Sequence, residues 1–179
     1  MTKTALVTGG TSGIGWATVK KFLNEGFAVT ALNFKDGGHL AELQALGDYT
    51  FKEGDVTDAK RVEEVIAQLV DQYGQLDVVA NVAGILGNHT PFVEADLDNI
   101  HKVLDVNLMG TIIVDQKASA QMVKQGSGVI VNVGSIDGLM ANFESIGYMA
   151  TLPEASAING STIMADDGYT LFKGVDLPD

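Results

Sequence analysis

Thr8-Gly9-Gly10-Thr11-Ser12-Gly13-Ile14-Gly15 decides the reading of this chain, taken with the apolar run Ala5-Leu6-Val7 before it. After the glycines the sequence takes up a helical rhythm. Ile14, Ala17, Val19, Phe22 and Leu23 are apolar, while Lys20, Lys21, Asn24 and Glu25 are polar. A strand, a tight glycine turn and a helix aim backbone N–H groups and the positive end of a helix dipole at one point. Such a point binds phosphate. Glycine is required because the turn is tight and because a side chain would hold a pyrophosphate away from the backbone.

The same alternation continues along the chain. Strands are predicted at Thr4–Val7, Phe27–Leu32, Tyr49–Phe51, Leu76–Asn81, Gly128–Val133 and Ser161–Met164. Asp58 to Tyr73 reads as a helix, with Val62, Val65, Ile66, Leu69, Val70 and Tyr73 on one face and Lys60, Arg61, Glu63 and Glu64 opposite. A longer helical segment runs from Leu97 to Gln125 through Ile100, Val103, Leu104, Leu108, Ile112 and Ile113. Strands separated by helices imply a parallel sheet covered on both faces. The expected fold is a single α/β domain with a doubly wound, Rossmann-like parallel sheet over 1–179.

Composition sets the bounds. The chain has 179 residues, 46% hydrophobic and 19% charged, which suits one well-buried globular core. Its net charge of -12, with only 11 Lys plus Arg, opposes an extended nucleic-acid surface or an anionic membrane surface. No apolar run approaches the ~20 residues of a membrane span, and the N-terminus reads as a strand rather than a signal peptide. With no cysteine there is no disulfide, thiolate metal site or thiol nucleophile. His39, His89 and His101 lack metal-ligand spacing, so no metal is expected. A cytoplasmic protein is the expectation.

In doubly wound sheets ligands bind beyond the carboxyl ends of the strands, near the switch in strand order. Here those ends are the glycine turn, Asn33-Phe34-Lys35, Gly54-Asp55-Val56, Asn81-Val82-Ala83-Gly84 and Val133-Gly134-Ser135. Gly, Asn, Asp and Ser favour turns in any protein. Five small, polar ends together point to one shared cleft.

These stretches resemble the short-chain dehydrogenase/reductase family over nearly the whole chain. The family's T-G-x-x-x-G-x-G pattern stands as Thr8 to Gly15, its adenine-contacting Asp-Val as Asp55-Val56, and its N-N-A-G as Asn81-Val82-Ala83-Gly84, with Val for the second Asn. Its helix-borne Asn is similar to Asn107, its strand-end Ser to Ser135, and Tyr148 follows Ser135 by the family's 13 residues. Asn159-Gly160-Ser161 through Asp166-Asp167-Gly168-Tyr169 resembles the family's last strand and closing loop.

The resemblance implies hydride transfer between a nicotinamide cofactor and a carbonyl or alcohol carbon. The cofactor would lie against Gly9, Thr11, Ser12, Gly13, Ile14, Gly15, Asn33, Asp55, Val56, Asn81, Ala83 and Gly84. Ser135 would hydrogen-bond the reacting oxygen, Tyr148 would transfer the proton, and Asn107 would hold a water in a proton relay. The alternative for Asn107 is an amide that merely distorts its helix. Asn33 stands where an acidic residue would bond the ribose 2′-OH and repel a 2′-phosphate, and Asn accepts the hydroxyl without that repulsion. Lys35 could meet a phosphate, but Ser12 stands where many phosphate-preferring relatives carry a basic residue, which favours NAD(H) weakly over NADP(H). The resemblance also implies a homo-dimer or homo-tetramer built on Leu97–Gln125, where Met109, Ile112, Ile113, Val114 and Met122 are apolar on more than one side.

One departure stands out. Four residues after its Tyr the family carries Lys, and here that position is Leu152, followed by Pro153. A free phenol has a pKa of about 10, so near pH 7 only about one in 10³ is ionised. Pro153 also ends any helix begun near Tyr148. From Thr151 the sequence passes to a stretch that resembles the loop before the family's last strand. Either a segment is deleted near 151–152, or the natural protein carries further residues at that junction. The rival to the oxidoreductase reading is a catalytically impaired nucleotide-binding remnant that acts through binding or assembly.

Overall fold

The computed structural model describes residues 2–88, 90 and 92–135. The expected strand Ser161–Met164, the junction near 151–152 and Tyr148 lie outside the described residues. Strands β1 (Thr4–Thr8), β2 (Ala28–Asn33), β3 (Tyr49–Glu53), β4 (Val78–Asn81) and β5 (Val129–Asn132) form one sheet. The order is β3-β2-β1-β4-β5, and every pairing is parallel. The chain builds outward from β1 to β3, then returns to β1's other side for β4. That reversal puts the switch point at the carboxyl end of β1.

Helices cover both faces. On one side α1 (Gly13–Asn24) and α2 (Leu40–Leu46) pack Val19, Leu23 and Leu43 against Ala5, Val7, Val29, Ala31 and Ala80. On the other, α3 (Ala59–Tyr73) and α5 (Gly110–Gln125) pack Val62, Val65, Leu69, Val114, Ala118 and Met122 against Leu6, Leu32 and Val79. The alternation of Ala5-Leu6-Val7 sorts these side chains by face, since successive Cβ atoms of a strand point oppositely. All of β1 is buried. A strand covered on both sides must be apolar throughout, and this one is, apart from its terminal threonines.

The helix expected from Asp58 starts at Ala59. Asp58 is its N-cap, with the side chain accepting from the Arg61 N–H, and Gly74 closes it in the left-handed conformation. The segment Leu97–Gln125 is helical, but not uniformly α. A π-helical turn, Asp105–Met109, separates α4 (Leu97–Leu104) from α5. Hydrophobic spacing did not anticipate α2 or the π turn. No helix among the described residues is long and apolar enough to cross a membrane.

Candidate functional site

A cleft of about 310 Å³ opens at the switch point. Its walls include the glycine turn (Gly9, Ser12, Gly13, Ile14, Gly15), the end of β2 (Leu32, Asn33, Phe34), Gly54 and Val56 after β3, and Val82 to Ile85 after β4. Val106, from the π turn, lines the cleft with them.

The glycines have separate geometric duties. A Cβ at Gly15 would sit 2.2 Å from the Gly9 carbonyl oxygen, so the turn closes on itself only because Gly15 has none. A Cβ at Gly13 would meet no protein atom within 4 Å. It would project into open space from a backbone with φ +49, a conformation that favours glycine. The Ser12 side chain does not cap α1. The first-turn N–H groups therefore keep their donors for a ligand. A cradle open at Gly13, lined by uncapped amides, has the shape and charge a pyrophosphate requires.

Not every expected residue faces this cleft. Thr11 is buried, and its hydroxyl accepts a hydrogen bond from the Asn33 amide. The Asn33 side-chain oxygen meanwhile accepts from the Phe34 N–H at 2.8 Å. Asp55 turns its carboxylate to the Thr57 N–H at 2.9 Å, shaping the loop that presents Val56. Gly110 lets α5 close on that loop, since a Cβ there would lie 2.6 Å from Val56.

Asn81 is buried and hydrogen-bonded inside the sheet. Its oxygen accepts from the Thr8 hydroxyl at 2.7 Å, and the Thr8 oxygen accepts the N–H groups of Val82 and Ala83 at 3.0 and 3.1 Å. The motif threonine thus ties β1 to the loop after β4. Leu32, Phe34, Gly54, Val82, Ile85 and Val106 line the cleft in addition to the expected residues. Phe34, Gly54 and Val82 were visible as strand-end residues, but nothing in their spacing marks them as walls.

Asn107 stands within the π turn, half-buried. Its side-chain oxygen accepts from the Ile85 N–H and its amide donates to the Ile85 carbonyl, both at 2.8 Å. This pairing satisfies both backbone groups of the residue that closes the cleft wall. One amide hydrogen and one lone pair of Asn107 remain beyond it. Ser135 is exposed, just past the end of β5. The Val133 N–H bonds to the Asn81 carbonyl at 3.0 Å, which runs the chain toward Ser135 alongside the cleft strand. Tyr148 lies outside the described residues.

The model of the short chain dehydrogenase family matches residues 3–152. The chain is 34% identical over 154 residues to a 3beta-hydroxysteroid dehydrogenase 2 of Eggerthella lenta, covering 83% of this chain and 59% of the relative. It is 37% identical over 159 residues to the 3-oxoacyl-[acyl-carrier-protein] reductase FabG of Staphylococcus aureus, covering 84% and 63%. Among solved structures, ElxO with NADP bound superposes with a TM-score of 0.78 at 32% identity, covering 84% of this chain and 62% of that one. NAD+-bound xylitol dehydrogenase gives 0.78 at 28% identity, covering 83% and 59%. This chain therefore spans about three fifths of the length of the relatives it matches. On the family match and on the shared fold, the chain belongs to the short chain dehydrogenase family.

Proposed function

We propose that this chain binds a nicotinamide dinucleotide in the switch-point cleft and serves an oxidoreductase acting on a small carbonyl or alcohol substrate. The observation that carries the reading is the glycine cradle, open only at Gly13 and lined by the uncapped first turn of α1. The bound nicotinamide would supply or accept the hydride. Gly9 to Gly15 would hold the pyrophosphate, Asn33 and Val56 the adenosine end, and Ala83, Gly84 and Ile85 the wall beside the nicotinamide ribose. Ser135 would orient the reacting oxygen, and Tyr148 would give or take its proton. Asn107, whose pairing with Ile85 leaves one donor and one acceptor, would hold a water of the relay.

NAD(H) is favoured over NADP(H). The residues lining the cleft include no Lys or Arg, so nothing among them attracts a 2′-phosphate. Solved relatives carry either cofactor. We also read the protein as cytoplasmic and as a homo-dimer or homo-tetramer. Val114 and Met122 of the long helical segment are buried in the chain's own core, whereas Met109 and Ile112 stay exposed and would form the contact. Light scattering that returns a monomer at micromolar concentration would refute that assembly.

NADH oxidation with a panel of small ketones tests the catalytic reading. Turnover that disappears in Ser135→Ala and Tyr148→Phe supports it. NADH binding without turnover on any ketone would instead favour the binding remnant.

A further inference from the structure

Asp115 faces the sheet from the middle of α5 and is fully buried. It is the only buried residue with an ionisable carboxyl among the described residues, and no cation forms an ion pair with it there. Such a group persists only where hydrogen bonds replace water. Its Oδ2 accepts from the Asn132 side-chain amide on β5 at 2.7 Å. Its Oδ1 lies 3.5 Å from the Asn81 amide on β4, a long contact, and that same amide reaches the Thr111 carbonyl at 3.3 Å. Asn81 in turn holds Thr8, and Thr8 holds the N–H groups of Val82 and Ala83. One carboxyl therefore joins α5 to the carboxyl ends of β5, β4 and β1. Those ends carry the cleft wall and the approach to Ser135.

We propose that Asp115 is a positioning residue: through Asn132 and Asn81 it fixes the carboxyl ends of β4 and β5 against each other, and so sets the cofactor wall Val82–Ala83 and the strand that delivers Ser135. The proposal rests on the cofactor reading given above. The chemistry explains the residue type. Two amide donors converge from adjacent strands, and a group with two acceptor oxygens answers both. An alkyl side chain leaves the Asn132 amide without this acceptor and the Asn81 amide with the Thr111 carbonyl alone.

Asn at 115 is the informative conservative change. Its oxygen faces the Asn81 amide while its NH₂ donates to Asn132, whose buried Oδ1 has no partner among the described residues and is reached by a flip of that amide. Asp115→Asn therefore preserves the bridge, and Asp115→Ala removes it.

The test uses the full chain, with two readouts: NADH affinity by calorimetry, and backbone hydrogen exchange at Val82 and Ala83 against Ala31 in β2. In Asp115→Ala, NADH affinity falls about tenfold and exchange at Val82 and Ala83 rises about tenfold, with Ala31 little changed. In Asp115→Asn both readouts stay within about threefold of wild type. If Asp115→Ala fails to fold, Asn132→Ala removes the same bridge from the strand side and carries the same expectation. Exchange that rises equally at Ala31, or Asp115→Asn behaving like Asp115→Ala, would overturn the proposal. Unchanged NADH affinity in a bridge-breaking variant would overturn it as well. Wild type that fails to bind NADH would sink the cofactor reading instead, while the exchange pattern still judges the bridge.

Discussion

Asn107 and Ile85 are joined by a two-point amide-to-backbone pair, both bonds at 2.8 Å, which fastens the π turn of one layer to the loop leaving β4 in another. A Cβ at Gly84 would lie 3.4 Å from the Asn107 oxygen, an ordinary contact, so the pair does not require glycine there. Both partners of each bond are at least half-buried, so each lost bond leaves a backbone group without its exchange for water.

Asn107→Ala is accordingly expected to cost about 2–3 kcal/mol, since two backbone groups lose their partner. In a chain of this size that lowers Tm by about 4–12 °C. Thermal unfolding followed by circular dichroism checks it. A Tm within about 1 °C of wild type would show that the pair contributes nothing.

Gly15→Ala is expected to be worse tolerated than its small volume suggests. The added Cβ would sit 2.2 Å from the backbone oxygen of Gly9, and neither backbone yields cheaply. Overpacking of this kind costs about 1–3 kcal/mol, so Tm falls by about 2–12 °C. Equal stability of Gly15→Ala and wild type would mean that the turn is looser than described.

Asp115 gives stability a pH dependence. Burial raises its pKa, and the hydrogen bonds from Asn132 and Asn81 oppose that rise only in part. A carboxyl with a raised folded pKa favours the folded state when protonated, so its stability is fully present below the unfolded value of about 3.9. It is lost as pH rises through the higher folded value. Relative to Asp115→Asn, wild type is therefore most stable in acid and loses that advantage toward neutrality. Urea midpoints of both proteins across that range decide the sign, and an advantage that grows with pH contradicts it.

Leu152 occupies the position where the resemblance calls for Lys. A cation beside a phenol lowers its pKa, and three units of lowering raise the ionised fraction near pH 7 by about 10³. Leu152→Lys should raise ketone-dependent NADH oxidation by at least about tenfold, within that ceiling. Steady-state assays compare the two chains. Unchanged turnover would remove residue 152 from the neighbourhood of Tyr148.

Most of the sheet was legible because its signals are local. Ala5-Leu6-Val7 ahead of the glycines, and Val62 to Leu69 at helical spacing, report burial directly. Three features were not legible, each for a physical reason. Helix α2 is only seven residues long and lies between Gly38 and Gly47, too short to show a period. The π turn at Asp105–Met109 changes hydrogen-bond register without changing which side chains are apolar. Thr11 and Asn81 read as cofactor contacts, Thr8 only as part of the motif and Asp115 as nothing in particular, because a sequence shows polarity and not partners. Their partners lie up to 75 residues away in the chain.

The central claim is that the glycine turn carries a dinucleotide. Calorimetric titration of NADH into wild type and into Gly13→Val tests it most directly, with circular dichroism confirming that the variant folds. The Gly13 backbone faces open cleft, so a valine side chain there occupies the space the pyrophosphate needs. The expected result is clear binding by wild type and affinity lower by at least about 100-fold in a folded Gly13→Val, equivalent to about 3 kcal/mol. Equal NADH affinity in the two folded proteins would contradict the account and remove the glycine turn from the site.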